Sequence, residues 1–256
     1  MNITNLLIAI SIMCHGNWDD IYQTLIRKEY PDEAKVDELC SNIKCNVVTI
    51  LDANYPGYLK ECFRPPFVLF YYGDLSLISD YNKNIAVVGT RDASSHALSN
   101  TDKVVSSLAK RLNIVSGLAR GIDRQAHESA IKSGGKTIAV LGSGIDLCYP
   151  SSNEDIYKEI KENHLLLSEY YNLEPPSQDH FPHRNRLISV LSSSTLIPEA
   201  KNKSGTSITA AFSTSFNRTI FAMPSSNLED SLCNDLIRDG AVLVRNADDI
   251  FYELKM

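Results

Sequence analysis

From Asn46 onward the chain alternates short, nearly uninterrupted apolar runs with stretches whose apolar residues recur at helical spacing. The runs are Val47–Ile50, Val68–Tyr72, Ile85–Val88, Ile114–Ser116, Thr137–Leu141, Leu165–Ser168, Thr195–Ile197, Thr219–Met223 and Val242–Val244. A strand with one face in water alternates apolar and polar residues, whereas one covered on both faces reads as a continuous apolar run. Between the runs, Ala97, Thr101, Val104, Val105, Leu108 and Leu112 mark one helix stripe, and Ala119, Ile122, Ala126 and Ala130 a second. Leu228, Leu232 and Leu236 mark a third. Strands and helices in this alternation predict a doubly wound α/β fold, a mostly parallel sheet with helices on both faces. The first 45 residues differ: Trp18, Ile21, Tyr22, Leu25 and Ile26 fall at helical spacing until Pro31-Asp32 ends the run. The chain thus divides into a small helical N-terminal extension, 1–45, and an α/β core, 46–256.

The 256 residues suffice to bury a full core, and 43% hydrophobic with 22% charged residues excludes disordered and fibrous classes. A net charge of -6 argues against a coat for nucleic acid over the whole surface, but leaves room for a local basic cleft. The apolar run Ile3–Cys14 is about half a membrane span, and it lacks the basic flank and small-residue cleavage site of a signal peptide. No membrane partner is expected. The six cysteines form no C-x-x-C pair, so neither a metal site nor a disulfide framework is expected, and a reducing cytoplasm fits.

In open α/β sheets ligands sit beyond the carboxyl ends of the strands. Here the run ending at Val88 leads into Gly89-Thr90-Arg91, and the next into Ser116-Gly117 and then Arg120-Gly121. A third leads into Gly142-Ser143-Gly144. Glycines at these turns let backbone N–H groups approach an anion, which the following helix dipole favours. Three such loops, two of them with an arginine, predict a phosphate-bearing ligand. Arg184-Asn185-Arg186 flank the start of another apolar helical stripe, Leu187, Ile188 and Leu191, and arginine forks suit bidentate phosphate contacts. The competing role for these arginines is to bridge acidic loops such as Glu169 or Glu199. Lys203-Ser204-Gly205-Thr206 forms a further cradle, with Ser204 or Thr206 as the helix N-cap, and Glu199 is expected to order Arg184 or Arg186. Phe181 is the nearby candidate for stacking a base, with a core role as the alternative.

Other chemistries fail on inspection. A dinucleotide G-x-G-x-x-G fingerprint needs glycine where Leu147 stands, and Gly135-Lys136-Thr137 precedes its strand and reads as a turn rather than a phosphate loop. His180 and His183 are three apart in a Pro-flanked loop with no third ligand, so no metal is expected there. Asp123 and His127 share one helix face, which suits an acid–base pair, but an orienting Asp and a structurally hydrogen-bonded His are the more ordinary outcome. No nucleophile–base constellation emerges elsewhere, so no catalytic residue is assigned.

Taken in order, these motifs resemble the DNA-processing protein A (DprA, or Smf) family. The likeness runs from Tyr55-Pro56, Pro65-Pro66 and Gly73 through Val87–Arg91, Ser116–Asp123 with Ala126-His127, and Gly134–Asp146, to Tyr149-Pro150. It continues through Ser168-Glu169-Tyr170, Phe181–Arg186, Glu199-Ala200, Ser204-Gly205, Ile208-Thr209-Ala210, Asn234–Ile237 and Gly240-Ala241. The resemblance implies a Rossmann-like core that binds single-stranded DNA, delivers it to the RecA recombinase during DNA uptake and recombination, and works as a dimer, without cofactor or catalysis. Gly89, Arg91, Arg120, Arg184, Asn185, Arg186 and Lys203 match its DNA-binding motifs. Ser225 and Leu232 stand where the family usually shows glycine, and Pro198 where it shows an aliphatic residue. With Met256 as the last residue, the winged-helix-like domain that some members add is not expected. The alternatives are a nucleotide-binding sensor or a LOG-like phosphoribohydrolase of the related superfamily. Aligning Gly205-Thr206 on the latter's P-G-G-x-G-T-x-x-E signature puts Thr209 where its glutamate belongs.

Overall fold

The computed structural model describes residues 2–227 and 230–256. Leu228, of the third helix stripe, lies outside them. The nine apolar runs become nine strands of one sheet: β1 (Asn46–Thr49), β2 (Val68–Gly73), β3 (Asn84–Val87), β4 (Asn113–Ser116), β5 (Thr137–Val140), β6 (Leu165–Ser168), β7 (Ser194–Ile197), β8 (Thr219–Ala222) and β9 (Val242–Leu243). Helices α1 (Ile3–Met13), α2 (Trp18–Arg27) and α3 (Glu33–Ser41) precede the sheet. Between and after the strands come α4 (Ser95–Leu108), α5 (Ile122–Lys132), α6 (Glu154–Asn163), α7 (His180–Val190), α8 (Gly205–Ser215), α9 (Leu232–Arg238) and α10 (Ala247–Glu253).

The strand order is β1-β2-β6-β5-β4-β3-β7-β8-β9. From β3 the chain steps one way to β6, then returns to lay β7 on the other side of β3 and steps the opposite way to β9. With right-handed crossovers, this reversal moves the helices to the opposite face. Accordingly Ile85 and Val87 of β3 share a core with Val104, Leu108, Ile122 and Ala126 of α4 and α5. Ala86 and Val88 share theirs with Leu187 and Ile188 of α7 and Ala210 of α8. The chains leaving β3 and β7 therefore part to opposite faces, and a crevice opens between them at the carboxyl edge. β1 pairs antiparallel with β2, and β2 with β6. The β1–β2 connection carries a short 3₁₀ turn (Gly57–Glu61) but no α-helix to make a parallel crossover.

The N-terminal helices share one apolar cluster with the sheet. Leu6, Leu7 and Ile10 of α1, Ile21 of α2 and Val36 of α3 pack with Phe70, Leu141 and Leu166. Trp18 Nε1 donates to the Pro65 carbonyl at 2.8 Å and stacks between Tyr22 and Phe67. Leu232 and Leu236 pack against the sheet core. None of the helices over the described residues is long and apolar enough to cross a membrane. Where a Pro-flanked loop was expected around His180 and His183, α7 begins at His180, and Pro182 sits in its first turn, where a missing N–H costs no helical bond.

Candidate nucleic-acid interface

Two adjoining chambers fill the crevice. The larger, about 430 Å³, lies over the β3–β7 switch point and is lined by Gly89, Thr90, Arg91, Arg184, Asn185, Lys201, Ser204, Gly205 and Thr206, among others. The smaller, about 240 Å³, lies towards the β4 and β5 loops and is lined by Gly117, Arg120, Gly142, Ser143, Tyr149 and Ser151, among others. Arg91, Ala119, Phe181 and Arg184 border both chambers. The Arg91 guanidinium lies over the Phe181 ring, 5.2 Å from its centroid.

The groove floor is held by Arg184. Its Nη1 donates to the Gly117 carbonyl at 2.7 Å and, through a short contact, to the Val140 carbonyl, while Nε donates to Asn185 Oδ1 at 3.1 Å. A Cβ at 117 would lie 2.6 Å from the Arg184 guanidinium, so a side chain there would displace this arginine from the floor. Beneath it the Asp123 carboxylate accepts from Gly117 N at 3.1 Å and Ala119 N at 3.4 Å, and also from Gly89 N, so one side chain ties the β3 and β4 loops together. Burial pushes the Asp123 carboxyl up, against the pull of Arg184 and those amides. Burial and the nearby Arg91 push Arg184 down to about 10, with Asp123 opposing, so it remains a cation at neutral pH.

The other wall is the start of α8. Ser204 occupies the N-cap position but gives no side-chain cap; its Oγ is buried without a partner. Gly205 and Thr206 head the helix, where N–H groups have no intrahelical acceptor, and the dipole places partial positive charge at the groove. Asn185 Nδ2 donates to the Gly205 carbonyl at 3.3 Å and links α7 to this turn. Thr209, at the position where a phosphoribohydrolase has glutamate, lines the larger chamber with a buried hydroxyl-bearing side chain.

Several expected site residues lie elsewhere. Arg186 is 0% exposed and donates to Glu169 at 2.6 Å. It is a structural ion pair, since no solvent reaches the guanidinium. Ser116 is buried and donates to the Val87 carbonyl at 2.7 Å. Gly144 spends its N–H on the Glu174 carbonyl at 2.8 Å, which holds the β5 loop to the chain after β6. Ser143 lines the smaller chamber, but its hydroxyl donates to the Leu147 carbonyl at 3.1 Å. Lys203 is exposed but outside the lining; Lys201 takes that place, and only the three-dimensional turn reveals it. Glu199 orders neither arginine. Its carboxylate accepts from Ser94 N, and its carbonyl from Thr90 N, both at 2.8 Å. After β8, Asn234 holds the loop containing Ser225 through both its side-chain atoms.

The Asp123–His127 pair supplies no acid–base geometry. Asp123 is consumed by loop amides, and His127 Nδ1 lies 2.7 Å from Thr137 Oγ1, whose single proton goes to the Ile114 carbonyl. The network therefore assigns the proton to Nδ1. Burial, reinforced by His164 and Arg184, holds the imidazole down to about 3, hence neutral.

An arginine-floored groove and an uncapped helix terminus, set at the switch point of a doubly wound α/β fold, make a site suited to an anion. The chain belongs to the DNA recombination-mediator protein A family, whose model matches residues 46–255. It is 42% identical over 209 residues to DNA processing protein DprA of Streptococcus pneumoniae, covering 81% of this chain and 73% of that one. The structure of that protein superposes with a TM-score of 0.81 at 39% identity, over 92% of this chain and 80% of the other. Protein Smf of Synechocystis is 40% identical over 208 residues, 79% of this chain but 52% of the relative's length. DNA processing protein A of Helicobacter pylori, whose structure gives insight into its single-stranded DNA binding mode, matches with a TM-score of 0.75 at 30% identity, over 84% of this chain and 97% of that one.

Proposed function

We propose that the groove binds single-stranded DNA without sequence preference and that the protein, as a homodimer, presents that DNA to the RecA recombinase in the reducing cytoplasm. The observation that carries the reading is the concentration of cations on a chain of net charge -6. Arg91, Arg120, Arg184 and Lys201 border the two chambers, and none of the four enters an ion pair among the described residues. The uncapped α8 terminus adds partial positive charge to the same wall. Guanidinium, ammonium and backbone N–H groups read phosphates rather than base edges, so affinity depends on backbone charge and on salt. The family's description as a recombination mediator supports the recombinase as partner. The protein acts by binding; it turns nothing over.

The test is a gel shift with single-stranded and duplex oligonucleotides, with and without the recombinase, repeated over a salt series. Single strands should bind in preference, and each lost phosphate contact should lower the slope of log affinity against log salt by about 0.7. Equal affinity for a mononucleotide and a long oligonucleotide would favour the sensor alternative.

A further inference from the structure

We propose that Tyr149 is the base-stacking platform of this groove and that the smaller chamber is a subsite for one unpaired nucleobase, an inference that rests on the single-stranded DNA reading above. Among the described residues, Tyr149 is the one exposed large apolar side chain that lines either chamber, with 46% of its surface open.

Phe181, the platform suggested by the sequence, is already engaged. Arg91 covers its ring at 5.2 Å, the ring edge occupies the space a side chain at Gly142 would need, and Tyr149 stands 5.9 Å away at a 32° tilt. Such a tilted aromatic neighbour braces the Tyr149 ring.

The loop bearing Tyr149 is fixed. Asn153, almost wholly buried, donates to the Leu118 and Ala119 carbonyls at 2.9 and 3.1 Å. Arg124 grips the Ser152 carbonyl at 3.0 Å and the Asp155 carboxylate through two bonds. A ring held in place before the ligand arrives loses little freedom on binding, which favours it as a recognition surface.

The chamber's size and charge set the ligand class. At about 240 Å³ it falls below the roughly 300–1,000 Å³ of sites that enclose whole small-molecule ligands, so it suits one part of a longer molecule. Arg120, exposed and outside every ion pair among the described residues, stands at its rim to take the phosphate of the same strand. A flat apolar ring beside an unpaired cation matches a nucleotide of a polyanionic strand, and stacking tolerates any base.

The experiment compares the wild type, Tyr149→Ala, Tyr149→Phe and Arg91→Ala on an oligothymidylate and on the same strand with abasic sites throughout. Loss of one stacked base should weaken Tyr149→Ala by about ten- to a hundred-fold on the intact strand, with an unchanged salt slope. Tyr149→Phe should bind like the wild type, because the ring face remains. The abasic strand should bind the wild type and Tyr149→Ala equally. If Arg91→Ala is impaired while Tyr149→Ala is not, or if Tyr149→Ala keeps its disadvantage on the abasic strand, this inference falls and the phosphate groove stands. A wild type that binds no single strand overturns both.

Discussion

Arg186 and Glu169 form an ion pair of 2.6 Å that solvent does not reach, two residues along α7 from the Arg184 that floors the groove. Burial drives the Glu169 carboxyl up, and the Arg186 guanidinium pulls it back down. Removing one member of such a pair strands the other charge, at a cost of about 3–5 kcal/mol. Arg186→Ala should therefore lower the urea midpoint strongly, whereas Arg186→Met combined with Glu169→Leu should recover most of the loss. If Arg186→Ala unfolds at the wild-type midpoint and changes only the salt slope of DNA binding, the guanidinium contacts phosphate after all.

Lys201 and Lys203 are two residues apart, yet only Lys201 lines the groove. Lys201→Ala should lower the salt slope for single strands by about 0.7, and Lys203→Ala should change it by much less. Lys110, just past the end of α4 and away from the strand ends that form the groove, serves as the control cation. Equal slopes for the Lys201 and Lys110 variants would place the binding face elsewhere.

Ser204 leaves the α8 terminus uncapped at the groove. An aspartate there would cap the helix and complement its dipole, a gain of about 0.5–1 kcal/mol. The same carboxylate would occupy the anion position. Ser204→Asp should thus melt higher and bind single-stranded DNA at least tenfold more weakly. A variant that is more stable and binds as tightly would show that no phosphate sits at this terminus.

His127 is held by burial to about 3, far below the ordinary imidazole value of about 6.5. In the fold it stays neutral, while the unfolded chain takes up a proton below about pH 6.5. The unfolded state then binds more protons, so this contribution is lost as pH falls from about 6.5 towards 3. Asp123 and Glu169, both raised by burial, contribute with the opposite sign. Between pH 7 and 5 the His127 term amounts to roughly 2 kcal/mol. His127→Gln should flatten the fall in stability over that interval by about this much in urea titrations. A wild type and variant with parallel pH profiles would mean that the imidazole is protonated in the fold.

The nine strands were legible because a strand covered on both faces must be apolar along its length, and the glycine-bearing loops at their ends marked the edge where the groove opens. The antiparallel edge was less so, since β1 and β2 carry the same apolar signature as the parallel strands and only their pairing partners separate them. The division of labour among the cations was legible only as an alternative: pairing with Glu169 was foreseen for the two arginines, but not that Arg186 alone would make it. Arg184 and Arg186 are the same residue type in the same motif, but two helical positions lie roughly 200° apart around the axis. One therefore faces the groove and the other the interior. Residue type and spacing determined that this chain would gather arginines at the ends of parallel strands; which of them lines the groove and which pairs with Glu169 was decided by the packing of α7 on the sheet, because an arginine's partner is whatever the fold brings within reach of its guanidinium.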